Sequence, residues 1–212
     1  MIRSKYVELV KAAAAGDVDG VVELSTNIMP TMPMAEVALE VVVSSETPDM
    51  MMVDALVGIG IPMSGTTYLA LEKAPGAESS MAMKHHKVAA ILLDPVAGIG
   101  KLERALVGYD PNYINGKALS IAASSGDVAA VKLLVEMGAD PTISATALLR
   151  ATEKGYLRVA MYLVEHGWDI QGGDGRIITE ALKDVNAAIA TYFQYKLGGV
   201  DLSSLAPESE YD

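Results

Sequence analysis

The sequence of 212 residues contains no cysteine, a single Phe and a single Trp. The absence of cysteine excludes disulfide bonds and thiol chemistry, and it is compatible with the reducing cytoplasm, where we expect the protein to be. Long apolar runs are also missing: Asp54 interrupts the stretch 50–61 and Pro62 ends it. A membrane-spanning helix needs about 18 apolar residues or more. We therefore expect no membrane segment.

Positive charge is scarce. Lys and Arg together number 16 against 27 Asp and Glu, which gives a net charge of -11. Nucleic-acid affinity depends on clustered Lys and Arg, and no basic stripe is visible, so direct nucleic-acid binding is not expected. Four acidic residues occupy the last dozen positions: Asp201, Glu208, Glu210 and Asp212. They predict an acidic C-terminal tail over 200–212, interpreted either as a solvated extension or as a docking segment that imitates a nucleic-acid backbone.

Residues that would support catalysis or bind a metal are equally few. His85 and His86 are adjacent, so on a helix they diverge by about 100° and cannot both bind one metal; we interpret them as a solvated helix end. The Gly-rich run 58–67 lacks the Lys that reaches the phosphates in a phosphate loop. No Ser stands near a plausible base and orienting acid. We expect no catalytic residue, no metal ligand and no cofactor.

Leucine and glycine recur at a fixed spacing. The positions that share it are Leu9 and Gly16, then Leu119, Gly126 and Gly138, then, 29 residues further on, Leu148, Gly155 and Gly167. Glycine adopts the left-handed conformation that ends a helix without a Cβ penalty. The spacing therefore predicts repeated units in which one helix ends at the first glycine and a second helix ends at the next.

The segment after Gly126 has the pattern of an amphipathic helix. Asp127 stands where its side chain can cap the free amides of that helix. Val128, Val131 and Leu134 follow at spacings of three, so they form one apolar stripe. A single pair of helices cannot bury such a stripe alone, which predicts that neighbouring units stack.

Residues 115–141 resemble an ankyrin repeat, with 117–122 in the slot of the Thr-Pro-Leu-His-x-Ala signature. The resemblance implies an all-α, ankyrin-like helical solenoid of about six or seven stacked helix pairs. We expect a single repeat domain over 1–199, with units near 5–27, 34–62, 65–87, 88–112, 115–141, 144–170 and 174–199. In the third unit, Leu69 takes the framework position. Ankyrin repeats are about 33 residues long, whereas these are 29 or 30 apart. Because the missing residues fall in the β-turn finger, we expect shortened fingers and little β-structure.

The resemblance also implies function: a non-enzymatic module that binds a partner protein through the concave face lined by inner helices. Position within the repeat, together with the preference of tyrosine for interfaces, indicates the partner-binding candidates Tyr68, Glu72, Lys73, Tyr113, Ser120, Ser124, Arg150, Glu153, Lys154 and Tyr156. The alternative is an acidic inhibitor, such as a viral or phage anti-defence protein, that mimics nucleic acid in the groove of a basic protein. In either case we expect a monomer or a weak homodimer.

Overall fold

The structure is a computed structural model that describes residues 2–25, 33–144, 146–183 and 186–205. Every regular element in these residues is helical and none is a strand, so the all-α prediction is confirmed. The elements are α1 (Ile2–Ala15), α2 (Val18–Ser25), α3 (Pro33–Val43), α4 (Met50–Gly58), α5 (Gly65–Leu71), α6 (Met81–Leu93), α7 (Ile99–Ala105), α8 (Tyr113–Ser125), α9 (Val128–Glu136), α10 (Thr146–Glu153), α11 (Leu157–Glu165), α12 (Arg176–Ala181), α13 (Ala187–Lys196) and a 3₁₀ turn at Leu202–Ser204.

Apart from α5, the described helices follow one another as six pairs: α1–α2, α3–α4, α6–α7, α8–α9, α10–α11 and α12–α13. The chain reverses between α8 and α9 at Gly126, which has a φ of +74°. Asp127 then caps α9, because its Oδ1 accepts the backbone N–H groups of Ala129 and Ala130, both at 3.0 Å. Gly16 has the same role between α1 and α2, with a φ of +75°. The predicted helix reversal is therefore confirmed.

The contacts between Cα atoms divide the chain into two compact units. The first comprises Met1–Val88 and Ala105–Ile114, and the second comprises Ala89–Arg104 and Asn115–Asp212. The prediction of one repeat domain over 1–199 stays a prediction.

In the first unit, first helices pack on first helices and second helices on second helices. Thus α1 packs on α3, α3 on α5, and α2 on α4. The core of this unit includes Tyr6, Leu9, Met52 and Leu56, each at most 2% exposed. The second unit has the same arrangement, with α10 on α12, α9 on α11 and α11 on α13.

The core positions of the second unit confirm the predicted register. Leu119, Leu134, Leu148 and Leu163 each have 0% exposure. Leu119 and Leu148 occupy the same place in successive first helices, and Leu134 and Leu163 the same place in successive second helices. The apolar stripe of each helix pair is therefore buried, as the 29-residue spacing indicates.

The segment 65–87 differs from the prediction. After α5 the chain forms turns rather than a second helix, and Leu71 is fully buried whereas Leu69 is 66% exposed. Helix α6 runs through the predicted boundary between residues 87 and 88, so the next unit begins at Met81. The carboxylate of Asp54 fixes this start, because it accepts the backbone N–H groups of Met81 and Ala82 at 3.0 and 2.9 Å.

A turn of sequence Gly-x-Asp follows each of the last four helix pairs. It begins at Gly108, Gly138, Gly167 and Gly199. In each turn the Asp Oδ1 accepts the backbone N–H group two residues further on, with N–O distances of 2.9, 2.7, 2.9 and 3.0 Å in chain order. A side chain that bonds its own backbone in this way fixes the turn locally. The last turn lies inside the predicted acidic tail.

The first part of that tail is packed rather than solvated. Asp201 caps the 3₁₀ turn, Leu202 has 0% exposure, and the turn packs on α13. The prediction of a tail that begins at residue 200 therefore differs from the structure, because residues 199–203 form another Gly-x-Asp turn. The remaining acidic residues of the tail, Glu208, Glu210 and Asp212, lie outside the described residues.

The start of α8 depends on a glycine. Ile114, Asn115 and Gly116 have φ values of 51°, 53° and 66°, in the left-handed region that a β-branched residue rarely adopts. A Cβ atom on Gly116 would overlap the side chain of Ser144. Close approach between the start of α8 and the turn before α10 thus requires the smallest residue.

Gly116→Ala is expected to lower the free energy of unfolding by more than the ~1–2 kcal/mol that a left-handed conformation costs an L-residue, because its Cβ also meets Ser144. Gly100→Ala is the matched control, since nothing lies within 4 Å of its Cβ position in α7. That change should raise stability by about 0.5–1 kcal/mol, the helical preference of Ala over Gly. Urea unfolding measures both, and equal effects would contradict the close approach at Gly116.

Leu202→Ala tests whether the last turn belongs to the folded protein. Loss of a fully buried leucine is expected to cost ~2 kcal/mol or more. Deletion of residues 206–212 serves as the comparison and should change little, because the sequence predicts a solvated extension there. Thermal unfolding of both variants is the measurement. A melting temperature unchanged by Leu202→Ala would contradict the packing on α13.

Candidate interaction surface

Helix α10 buries one face and exposes the other. Ala147, Leu148 and Ala151 have 0% exposure. On the opposite side, Arg150 Nη1 donates a hydrogen bond to Glu153 Oε2 at 2.9 Å, and the two side chains are 53% and 28% exposed. An ion pair in water contributes ~0–1 kcal/mol to stability. The free energy of unfolding therefore changes little if a partner binds either charged side chain and separates the pair.

The next first helix carries a similar pair. Lys183, which follows α12, places its Nζ 2.6 Å from Oε2 of Glu180. Helix α12 packs on α10, and α8 reaches α10 through the hydroxyls of Ser120 and Thr146, which lie 2.7 Å apart. Three successive first helices thus present polar side chains to solvent. We define the inner-helix surface by the following residues: Lys117, Ser124, Arg150, Glu153, Lys154, Glu180 and Lys183.

The predicted partner-binding residues of the second compact unit differ in how much of them is accessible. Arg150 and Lys154 are exposed and Glu153 is half-buried. Ser124 is also half-buried and donates to the carbonyl oxygen of Ile121 at 2.8 Å. Ser120 is 7% exposed, and its hydroxyl forms a hydrogen bond with that of Thr146. Its role in binding stays a prediction, and little of its side chain is accessible to a partner.

Tyr156, another predicted partner-binding residue, packs over the helix reversal and is also partly accessible. It is 38% exposed, and its ring lies 2.8 Å from the place that a Cβ on Gly126 would occupy. The ring therefore covers the glycine at which α8 gives way to α9.

The predicted partner-binding residues of the first compact unit either lie in a turn or make contacts within the fold. Tyr68 stacks on His86, with ring centroids 4.5 Å apart. Glu72 and Lys73 are exposed in the turn after α5. The hydroxyl of Tyr113 donates to the backbone oxygen of Asp54 at 3.0 Å, so Tyr113 joins the start of α8 to α4.

Both adjacent histidines take part in packing. His85 Nδ1 lies 2.7 Å from the hydroxyl of Tyr109, and its ring meets Tyr113 edge to face with the centroids 5.7 Å apart. His85 and His86 are half-buried in the first half of α6, so the interpretation as a solvated helix end is wrong. The sequence offers one signal for this contact: Tyr109 is the middle residue of a Gly-x-Asp turn, the position that Ala139 and Trp168 also fill with buried side chains.

Burial determines the protonation of Tyr109, Tyr113 and His86. Desolvation raises the pKa of Tyr109 above its ordinary value, and the charge of Asp110 adds to the rise. Desolvation likewise raises the pKa of Tyr113, with Asp54 and Tyr109 adding to it. Burial lowers the pKa of His86. The tyrosine hydroxyls therefore stay protonated at neutral pH, and His86 favours its neutral form, which suits packing against Tyr68.

In the described part of the chain, no group of three or more His, Cys, Asp or Glu side chains is placed to hold a metal ion. None of the helices found there has both the length and the apolar character needed to cross a membrane.

The structure thus defines a repeat protein built of stacked helix pairs with a polar face on its first helices. A family model described as ankyrin repeats, in three copies, matches residues 82–174. The match spans the pairs α6–α7, α8–α9 and α10–α11. These residues are therefore similar to ankyrin repeats, as the sequence predicts. Neither the curated proteins nor the solved structures gave a match to the chain.

His86→Gln is expected to remove one source of acid sensitivity. Because the folded-state pKa of His86 lies below the ordinary value of 6.5, the unfolded state binds more protons between these two values. The stabilising contribution is therefore complete above pH 6.5 and is lost as the pH falls through the folded-state pKa. Urea unfolding from about pH 7.5 to about pH 5.5 should show the native protein losing more stability than the variant. If the difference in the free energy of unfolding between the two proteins did not change with pH, this prediction would be wrong.

Proposed function

We propose that the protein binds a partner protein through the inner-helix surface and catalyses no reaction. Ankyrin repeats are generally protein–protein interaction modules, and the fold is typically a non-enzymatic scaffold. The observation that carries the proposal is the exposure of the charged pairs Arg150–Glu153 and Lys183–Glu180 on successive first helices, whose other faces are committed to the core.

The charge of this surface supports an acidic partner segment. The inner-helix surface has four cations, Lys117, Arg150, Lys154 and Lys183, against the two carboxylates of Glu153 and Glu180, although the whole chain has a net charge of -11. Surface charge complementarity governs the association rate and the choice of partner more than it governs affinity. An acidic segment of a folded partner would therefore approach this surface more readily than the rest of the molecule.

Two further parts of the proposal concern the state of the protein in the cell. We propose a cytoplasmic location, supported by the absence of cysteine, and a monomer or weak homodimer that leaves the inner-helix surface accessible. Direct nucleic-acid binding is not part of the proposed function, because the surface is small and has carboxylates among its cations.

The double variant Arg150→Ala and Glu153→Ala tests the proposal without changing the net charge. The partner is first identified by retention on the purified chain and mass spectrometry, and its affinity is then measured in solution at two salt concentrations. We expect about tenfold weaker binding, a loss of about 1.4 kcal/mol. The control is Arg158→Ala with Glu165→Ala, an exposed pair of the same charges on α11, which should bind normally. Equal affinity for both double variants would contradict the proposed surface.

The acidic inhibitor is the competing proposal, and three of the residues that support it, Glu208, Glu210 and Asp212, lie outside the described residues. A nucleic-acid mimic should lose affinity steeply as salt rises, since its binding depends on screened charges. If deletion of 206–212 abolished a strongly salt-sensitive interaction while the Arg150 and Glu153 double variant bound normally, the acidic inhibitor would replace the inner-helix surface as the function.

A further inference from the structure

The connection between α6 and α7 is longer than the Gly-Asp reversals that join α1 to α2 and α8 to α9. Two residues join α1 to α2 and two join α8 to α9, whereas five residues, 94–98, join α6 to α7. Asp94 holds the start of this loop, because its Oδ1 accepts the backbone N–H group of Val96 at 3.0 Å. The additional residues are not needed to reverse the chain, since a Gly-Asp pair does so at 126–127.

The longer loop exposes apolar side chains. Val96 at its tip is 86% exposed, Leu93 at the end of α6 is 69% exposed, and Ile99 at the start of α7 is 43% exposed. Single exposed apolar residues are common, but a contiguous group marks a binding surface more often than a solvated one. These three residues lie within seven positions of one another, all in the second compact unit.

A cavity of about 350 Å³ lies at this loop, lined by residues of α6, α7 and the 94–98 loop together with Ser125 and Asp127. Leu92, Ile99 and Leu102 provide apolar walls. Pockets that bind ligands measure about 300–1,000 Å³, so this cavity has room for a single apolar side chain and a flanking group rather than for a whole helix. Leu93 also lines the cavity, and Val96 adds exposed apolar surface at the tip of the same loop, so an extended peptide fits better than a small molecule.

The charge at the cavity has one sign. Asp94 and Asp127 line it, and neither Lys nor Arg does. Each of these aspartates accepts backbone hydrogen bonds through Oδ1. The carbonyl groups that end α6 at Leu93 add the negative end of the helix dipole. An occupant that brings a positive charge is therefore favoured over one that is neutral or acidic.

From these observations we propose that the α6–α7 cavity binds a short segment of a partner protein in which an apolar side chain stands next to Arg or Lys. The apolar side chain enters the cavity against Ile99 and Leu102, and the cation lies at the rim against Asp94 and Asp127. This site is separate from the inner-helix surface and does not depend on the function proposed for that surface.

Short capped peptides and the ¹⁵N-labelled full-length protein provide the test. The panel pairs Leu, Ile, Met or Phe with a neighbouring Arg, and each peptide has a counterpart with Glu in place of Arg and another with Ala in place of the apolar residue. Amide chemical shifts of residues 91–94, 96–102, 125 and 127 should move with the Arg peptides and not with either counterpart.

Three variants separate the contributions of the rim and the loop. Asp94→Asn keeps the acceptor for Val96 and removes the charge, and Asp127→Ser keeps an N-cap of similar strength and removes the other charge. Each of these two changes should lower the affinity for the Arg peptides at least threefold. Val96→Ser should lower that affinity at least fivefold. The control Val7→Ser, at a 46% exposed valine on α1, should leave it unchanged.

Several results would overturn the proposal. One is the absence of shifts at 91–102 for every Arg peptide, and another is equal binding of the Glu counterparts. Shifts confined to the inner-helix surface would place the peptides at the other site. Analytical ultracentrifugation adds a further outcome: if the free protein self-associates and Val96→Ser abolishes the association, a second copy of the chain occupies the cavity instead of a basic peptide.

Discussion

Each helix pair of this protein can bury its apolar face only against the next pair. The constraint explains the small residues along the first helices, because Ala118, Ala122 and Ala123, all with 0% exposure, let neighbouring helices approach closely. It also explains why the central leucines of successive helices are fully buried even though each helix is short. Stability in such an array is a sum of nearest-neighbour contacts. Both proposed binding sites accordingly use side chains that these contacts leave exposed.

The spacing of glycine and leucine was sufficient to predict the array where each framework residue has a local role. Gly126 ends a helix because of its own backbone conformation, Asp127 caps the helix that follows it, and Leu134 lies on the stripe that both define. These roles depend on residues within one turn of each other, so the sequence carries them directly. The helix pairs α1–α2, α8–α9 and α10–α11 follow from the same local pattern.

The segment 65–87 could not be predicted in this way because its structure depends on distant partners. The start of α6 is fixed by Asp54, whose carboxylate accepts hydrogen bonds from residues 26 to 28 positions later. Its histidines are half-buried against Tyr68 and Tyr109, and helical periodicity does not relate either tyrosine to them. Of the candidate site, the exposed charges of α10 were predictable from helical position, whereas the pairing of Ser120 with Thr146 depends on the approach of two helices.

The two proposed surfaces differ in charge because they lie at different parts of the helix pair. First helices place Arg150 and Lys154 on their solvent face, while the reversals between helices use aspartate, since Asp127 caps the helix that follows and Asp94 holds the loop. Local capping chemistry thus leaves carboxylates at the reversal edge, and a longer loop with Val96 at its tip adds apolar surface beside them.

The Gly-x-Asp turn gives the chain a uniform connector. The turn at 199–203 has the same aspartate-to-backbone hydrogen bond as the turns that lead into α8 at 108–112 and towards α10 at 138–142. A helix pair joined after residue 203 would consequently start from a backbone geometry that the molecule already uses. The array could therefore be lengthened by adding a copy of residues 113–141 after residue 203. The added helices would pack on the face of α13 that the 3₁₀ turn with Leu202 now contacts.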